Sequence, residues 1–140
     1  MSNIGDRLFG KTLVTILALL AGGSAIAEGL AGSEWRPVQL GQAEVTDTGN
    51  MFVRFEEGGR LSGHNGCNGF FGSYEITGDR IAIGPLGATR MACEEPVMQL
   101  ETAFMQALEK ARGVARDGTR LELTDEQGET SILFIQTDWD

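Results

Sequence analysis

The stretch LSGHNGCNGFFGSY occupies residues 61–74 and is the most distinctive part of the chain. Glycine recurs in it at every third position, at Gly63, Gly66, Gly69 and Gly72. A period of three suits neither a helix nor a strand. We therefore expect a tight or bulged corner in which Asn65-Gly66 and Asn68-Gly69 supply positive φ angles. Cys67 would be fixed between these pairs, and the asparagine side chains would bond loose backbone groups.

A phosphate-binding loop is the functional alternative for this glycine-rich stretch. Such loops open a helix and usually carry a lysine. Residues 61–74 contain no lysine, and they lead into an alternating pattern at Tyr74 that is typical of a strand. The structural interpretation is therefore favoured.

Short strand-like segments lie on both sides of the corner. Six of them alternate or form short apolar runs between turn residues: 35–40, 51–55, 74–76, 81–83, 121–123 and 132–135. The clearest pair is joined by Thr77-Gly78-Asp79, which is the pattern of a hairpin. Most of the chain is therefore predicted to be antiparallel β.

One helix interrupts the strands after Pro96. Its apolar residues recur at spacings of three and four, at Val97, Leu100, Phe104, Leu108 and Ala111, and the helix is predicted to end near Gly113. We interpret this stripe as core, and Met98 and Met105 beside it as packing rather than a partner groove. The predicted fold class is mainly β: a small antiparallel barrel, or a strongly curved sheet, with one α-helix packed against it.

The first 27 residues have the pattern of a secretory signal peptide. Arg7 and Lys11 precede an uncharged run at 12–21, and Ala25-Ile26-Ala27 offers the small side chains of a cleavage site. The apolar run is too short to cross a bilayer, so a retained membrane anchor is the weaker alternative. We expect cleavage after Ala27 and, since no cysteine lies there for acylation, a soluble periplasmic or secreted protein.

The net charge of −9 argues against nucleic acid and anionic lipid as partners. Cys67 and Cys93 are the only two cysteines, and an exported chain with an even number usually pairs them. Zinc with His64 as a third ligand is the alternative. The chain has no CxxC pair and no second histidine, so we expect no metal and no cofactor.

The sequence predicts no set of catalytic side chains. His64 is the only imidazole, is expected in an exposed loop, and lies three residues from a cysteine that we expect to be oxidised. Glu94 and Glu95 are adjacent carboxylates, but before Pro96 they favour the N-terminus of a helix more simply than acid–base chemistry. We therefore predict that the protein is not an enzyme.

Several sequence blocks together resemble the META domain family of the HslJ heat-shock type. They are GHNGCN at 63–68, GSY at 72–74, PLGATRMAC at 85–93, and Glu101 and Leu108 on the helix. The resemblance places a META domain at 35–135, after an extension at 28–34 and before a tail at 136–140. It implies a lipocalin-like antiparallel barrel with one helix, a bacterial envelope location, a link to stress or antibiotic tolerance, and no established reaction.

The family's pattern differs from this chain at two points. Members often have a small residue such as serine where this chain has Asn65, a change we expect to be harmless. Many are lipoproteins, whereas this chain has no acylation cysteine, so we expect no stable membrane insertion after cleavage.

Three functional classes follow. A binding or scaffold module of the envelope stress response, acting as a monomer on an unknown envelope protein, is favoured. A periplasmic protease inhibitor could use residues 28–33 as an inserted arm. A carrier of a small apolar ligand would need a hollow barrel, but seven Phe, two Trp and a helix should fill the interior.

The best candidate surface surrounds the expected disulfide. Pairing of the cysteines should bring together five residues: Asn65, Asn68, Thr89, Arg90 and Met91. We expect an architectural role for Asn68, since asparagine in glycine-rich corners satisfies backbone groups. An exposed Arg90 guanidinium with no intramolecular acceptor would instead indicate binding.

Overall fold

The computed structural model describes residues 26, 29–46 and 49–137. Within these, antiparallel strands close into an eight-strand barrel, and a helix packs against it, so the predicted fold class is confirmed. The elements are β1 (Ser33–Leu40), β2 (Ala43–Glu44), β3 (Phe52–Glu56), β4 (Arg60–His64), β5 (Gly69–Thr77), β6 (Arg80–Ile83), β7 (Gly87–Ala88), α1 (Glu95–Lys110), β8 (Gly113–Asp117), β9 (Arg120–Thr124) and β10 (Thr130–Thr137).

The sheet order is β10-β9-β8-β6-β5-β4-β3-β1-β2, and the pairing of β1 with β10 closes the barrel. The two-residue strands β2 and β7 are additions to it, since β2 pairs with β1, and β7 pairs with β5 beyond the end of β6. Between β6 and β8 the ladder contains a single residue pair, Arg80 with Gly113. Two backbone hydrogen bonds flank this pair, from the Ile81 amide to the Arg112 carbonyl and from the Val114 amide to the Asp79 carbonyl, so the seam is closed by a short ladder.

The predicted hairpin is confirmed in β5 and β6. Tyr74 pairs with Ile83, Thr77 pairs with Arg80, and Gly78 between them has a φ of 63°. The predicted strand at 35–40 begins two residues earlier than its first apolar residue, at Ser33. A register shift between Pro37 and Gln39 marks a bulge in that strand.

The glycine-rich stretch is only partly a corner, and this corrects the sequence interpretation. Residues up to His64 belong to β4 and those from Gly69 to β5, so only residues 65–68 form the turn. Gly66 has the predicted positive φ, at 103°. Gly69 does not, because it pairs with His64 and is extended.

Two glycines inside the strands, Gly63 and Gly72, serve close packing instead. A Cβ atom on Gly63 would lie 2.2 Å from the Phe52 carbonyl oxygen and 2.6 Å from the Phe70 ring. One on Gly72 would lie 2.7 Å from the Leu86 side chain. The period of three is therefore not a run of turns: Gly66 lies in the turn, whereas Gly63 and Gly72 leave room for neighbours close to the backbone.

His64 is not in an exposed loop, contrary to the prediction. It is the last residue of β4 and half-buried, and its Nδ1 accepts a hydrogen bond from the Gly66 amide at 3.2 Å. The imidazole is thus part of the turn that follows the strand.

Helix α1 has its predicted apolar stripe directed at the core. Phe104 and Leu108 are buried, and the Phe104 ring makes edge contacts with Phe70 at 5.9 Å and Phe134 at 6.4 Å between centroids. Glu95 lies in the first turn, where its charge suits the helix N-terminus. Glu94 occupies the cap position without a side-chain capping bond.

Large side chains fill the barrel interior. Five of the described strands, β1, β3, β4, β9 and β10, contribute fully buried residues, which include Trp35, Phe55, Leu61, Leu121 and Phe134. Close packing of this kind leaves side chains, rather than solvent, at the centre of the barrel.

The segment before β1 is docked on the barrel. Leu30 is fully buried, and the Gly32 amide donates a hydrogen bond to the Phe55 carbonyl at 2.6 Å. The predicted signal peptide, apart from Ile26, lies outside the described residues, as do the mature start at Glu28 and residues 138–140 of the predicted tail.

The single tyrosine gives a first test of this packing. Tyr74 donates a hydrogen bond to the Glu56 carbonyl at 3.0 Å, and burial, together with the nearby Glu57 charge, raises its pKa above the ordinary 10.0. The folded protein thus holds this proton more tightly than the unfolded chain. The resulting stability is present below pH 10 and is lost as the pH rises through the raised pKa.

Tyrosinate absorbance measured during a titration checks this prediction, because no other tyrosine contributes to the signal. The folded protein should ionise at a higher pH than the same protein in denaturant. Identical midpoints in the two states would show that folding does not change the pKa of Tyr74.

Candidate functional site

The candidate site is centred on a disulfide. Cys67 and Cys93 are bonded, with their Cα atoms 6.0 Å apart. The bond joins two parts of the fold: the corner, residues 65–68 between β4 and β5, and the clamped segment, residues 87–93, which leads from β7 to the start of α1.

Asn65 closes the corner on itself. Its side chain is fully buried, and its Oδ1 accepts hydrogen bonds from the amides of Cys67 at 3.1 Å and Asn68 at 2.7 Å. The backbone amide of Asn65 donates a hydrogen bond to the backbone carbonyl of Asn68 at 2.9 Å. The side chain thus satisfies backbone donors that the tight turn leaves without strand partners. Its buried Nδ2 has no hydrogen-bond partner among the described residues.

Asn68 joins the corner to the clamped segment. It is 2% exposed, and its Oδ1 accepts hydrogen bonds from the Met91 amide at 2.6 Å and the Thr89 hydroxyl at 3.0 Å. Its Nδ2 donates to the Met91 carbonyl at 3.3 Å and to Glu101 Oε2 at 3.1 Å. All four bonding positions of this carboxamide are therefore used.

Glu101 is the site residue that the predicted cluster omitted. It lies on α1, half-buried, and its carboxylate accepts the bond from Asn68. This contact ties the helix to the corner. Glu101 stands among the blocks that carry the family resemblance, and that was the available signal for it.

The structure brings four of the five predicted residues into one hydrogen-bonded group: Asn65, Asn68, Thr89 and Met91. Arg90 lies in the same segment but differs from them. It is exposed, and its guanidinium makes no hydrogen bond or ion pair with any residue that the structure describes.

Two exposed apolar side chains lie on or beside the clamped segment. Met91 is 63% exposed, and Phe71, which pairs with Gly87 across β5 and β7, is 62% exposed. These are the two large apolar side chains that the described part of the chain leaves most open to solvent. The clamped segment is therefore rigid on the side facing the corner and open on the other.

The cysteines and the histidine of this region are already engaged. Both cysteines are bonded, and His64 uses Nδ1 within the turn. Over residues 26, 29–46 and 49–137, no three His, Cys, Asp or Glu side chains gather as a metal site would require. None of the helices in that part of the chain is long and apolar enough to span a bilayer.

Five surface grooves of the described residues are lined by residues outside this cluster. One of about 320 Å³ runs along the outer face of β8, β9 and β10, and its lining includes Gln39, Arg116, Arg120 and Glu122. Its walls are largely polar or charged, unlike those of a small-molecule pocket.

Solved structures share this architecture. A protein of Burkholderia xenovorans solved by NMR is 26% identical with a TM-score of 0.63, and the match covers 82% of this chain and 88% of that one. A second NMR structure is 22% identical, TM-score 0.62, covering 78% and 92%. A crystal structure of a DUF4847 family protein of Bacteroides vulgatus is 17% identical, TM-score 0.62, covering 82% and 99%.

The sequence itself matches the META domain over residues 28–138, a range that includes the extension predicted at 28–34. No curated protein matches it. Since the matched range takes in the corner, the clamped segment and the whole closed barrel, the chain belongs to the META domain family.

Proposed function

We propose that this protein is an exported, non-enzymatic binding module of the bacterial envelope, of the HslJ heat-shock type, that acts in stress response or antibiotic tolerance. The observation that carries the proposal is the clamped segment, which is fixed from one side and exposed on the other. It presents Arg90 and Met91 to solvent. Its partner would be another envelope protein, bound by a monomer of this chain.

Rigid presentation is what favours binding over a merely structural role. The disulfide holds residue 93, the Asn68 carboxamide holds Met91, and the Thr89 amide bonds the Gly69 carbonyl at 3.1 Å. A partner that docks on such a segment does not have to order it, so less conformational entropy is lost on binding.

The disulfide also supports the proposed location. Such bonds persist in the periplasm and outside the cell, and they are rare in the cytosol. A periplasmic or secreted protein is therefore part of the proposal.

Two alternative functions receive less support. A protease inhibitor would need a free arm at residues 28–33, but Leu30 is buried in the core and Gly32 is bonded to Phe55. A carrier would need a hollow barrel, whereas Trp35, Phe55 and other large side chains fill this one.

Substitution of Arg90 tests the proposal. Because its guanidinium has no partner among the described residues, Arg90→Ala should change the free energy of unfolding by no more than about 0.5 kcal/mol. If Arg90 binds a partner, the same variant should lose its crosslinks in intact cells together with stress tolerance. Thermal unfolding, crosslinking with mass spectrometry and immunoblotting of exported protein provide the three measurements.

Arg60→Ala is the matched control, since Arg60 is also an exposed arginine of the sheet, at the opposite end of β4 from the corner. The Arg60→Ala protein should keep its crosslinks to the partner and its stress tolerance. An Arg90→Ala protein that is stable and keeps every crosslink would contradict the proposed role of this surface.

A further inference from the structure

The clamped segment begins as an edge strand. Phe70 pairs with Ala88, and Phe71 with Gly87, while the Thr89 amide donates to the Gly69 carbonyl. In an antiparallel ladder, successive residues direct their backbone groups alternately toward and away from the neighbouring strand. The backbone groups of Gly87 and Thr89 therefore face β5, and those of Ala88 and Arg90 face away from it.

Asn68 continues this ladder by one step beyond the end of β5. Its carboxamide accepts from the Met91 amide and donates to the Met91 carbonyl, the same two bonds that a strand residue would exchange. The side chain thus replaces a backbone partner for Met91, three residues beyond the end of β7 at Ala88. Cys93 is held immediately afterward by the disulfide.

The outer edge of this strand is open. β7 pairs with β5 alone among the described strands, and residues 88–92 are all exposed. The backbone groups of Ala88 and Arg90 make no backbone hydrogen bond within the described ranges. They form a short row of free donors and acceptors on a rigid support.

Natural proteins protect such an edge with proline, a charged side chain, a very short strand or a covering loop, because it invites pairing with another chain. Residues 87–92 read GATRMA and contain neither proline nor lysine. Their only charge is Arg90. The edge therefore has the features of a site for strand addition, in which backbone bonds supply affinity and side chains supply selectivity.

We propose that the outer edge of residues 87–92 binds an extended segment of a partner protein by strand addition, with a carboxylate of that segment facing Arg90. This inference rests on the proposed function and names the mode of binding. The charge argues for an acidic segment, since Arg90 is exposed without an ion pair in the described structure. A second copy that paired antiparallel about Thr89 would place the two Arg90 side chains on diagonal positions of the ladder, about 7–8 Å apart, and bring two like charges together.

Amide hydrogen exchange of the exported protein, followed by NMR, tests the proposal. The probe is a blocked nine-residue peptide of alternating Thr and Val with a central Glu, and the comparison peptide has Lys in place of the Glu. In the free protein the Ala88 and Arg90 amides should exchange rapidly, whereas Met91 should be protected. The Glu peptide should slow Ala88 and Arg90 by about tenfold or more, and the Lys peptide should have a weaker effect.

Two variants make the test specific. Arg90→Pro removes an edge amide without touching a bond to β5, so it should abolish the peptide's effect while Met91 stays protected. Arg90→Glu should reverse the preference between the peptides. If Arg90→Pro unfolds the protein, Ala88→Pro provides the same test at the other free position.

Three results would overturn the proposal: protected Ala88 and Arg90 amides in the free protein, no slowing by either peptide, or slowing that survives Arg90→Pro. Sedimentation that shows a dimer held by this edge would also overturn it, in favour of self-pairing. Failure of this proposal can be distinguished from failure of the proposed function. If crosslinking in cells captures a partner through Arg90 but the peptides do not slow exchange of the Ala88 and Arg90 amides, the protein is still a binding module and strand addition is excluded.

Discussion

Reduction of the Cys67–Cys93 bond should lower the free energy of unfolding by about 3.5 kcal/mol. The two cysteines are 26 positions apart in the sequence, and the figure corresponds to the conformational entropy that a closed loop of that length removes from the unfolded chain and that reduction restores. Domains of this size have a total stability of roughly 5–15 kcal/mol, so the loss is a large fraction. The melting temperature should fall by roughly 10 °C or more.

Thermal unfolding with and without a reductant measures this effect. The double variant Cys67→Ala/Cys93→Ala serves as the control, because the reductant should not change its melting temperature. Since Cys67 is 4% exposed, the variant also loses some core packing and should melt slightly below the reduced protein. A native protein whose melting temperature is unchanged by full reduction would show that the disulfide contributes no stability.

Parts of the fold with an uninterrupted local signal could be predicted from the sequence. The β5–β6 hairpin combines apolar alternation with a Thr77-Gly78-Asp79 turn, and α1 carries a stripe at helical spacing. In both elements the residues that determine the structure are neighbours in sequence. Local chemistry and tertiary packing agree there.

Other strands were hidden because their pattern depends on distant neighbours. In β4 and β5, glycine stands at positions where alternating apolar side chains would have indicated a strand. At position 63 only glycine fits, because the Phe52 carbonyl and the Phe70 ring lie too close for a Cβ atom. β8 has the sequence GVARD, with only Val114 buried, and Gly113 lies where a Cβ would meet the Thr124 hydroxyl at 2.3 Å. Neither contact can be seen in a window of a few residues.

The candidate site was predictable to the extent that the cysteines join its two segments. Pairing of Cys67 with Cys93 predicted that Asn68 would lie near Thr89 and Met91, as the structure shows. The contact from Asn68 to Glu101 spans 33 positions and depends on how α1 docks, which the stripe alone does not determine. The exposed edge of β7 was equally invisible, because it follows from the order of strands in the sheet.

Substitution of Asn68 should have the second large effect, a loss of about 3 kcal/mol for Asn68→Ala. The change removes four hydrogen bonds in a site that is 2% exposed, and it leaves the Met91 backbone groups and Glu101 without that partner. Asn50→Ala is the matched control: Asn50 is exposed in a turn, and its substitution should cost less than about 0.5 kcal/mol. Chemical denaturation measures both values.

Asn68→Asp separates the role of the Oδ1 acceptor from that of the Nδ2 donor. The aspartate keeps the acceptor for Met91 and Thr89, but it loses both donors and places a carboxylate against Glu101. Like charges at this distance raise the pKa of the pair, so this variant should be destabilised at neutral pH and regain part of its stability as acid protonates one carboxyl. An Asn68→Asp protein with the same pH dependence as the natural one would show that the Nδ2 contact to Glu101 is not formed in solution.

A double-mutant cycle then tests whether Asn68 and the disulfide hold the same segment. Both act on residues 87–93, so once Asn68→Ala has released Met91, reduction of Cys67–Cys93 should release a segment that is already loosened. The two losses should therefore differ from a simple sum by about 0.5–3 kcal/mol, the range found for residues that share a network. Amide exchange should show the same coupling at Met91, which is protected by both constraints. Strict additivity would mean that the corner and the disulfide stabilise separate parts of the barrel, and that neither holds the binding edge for the other.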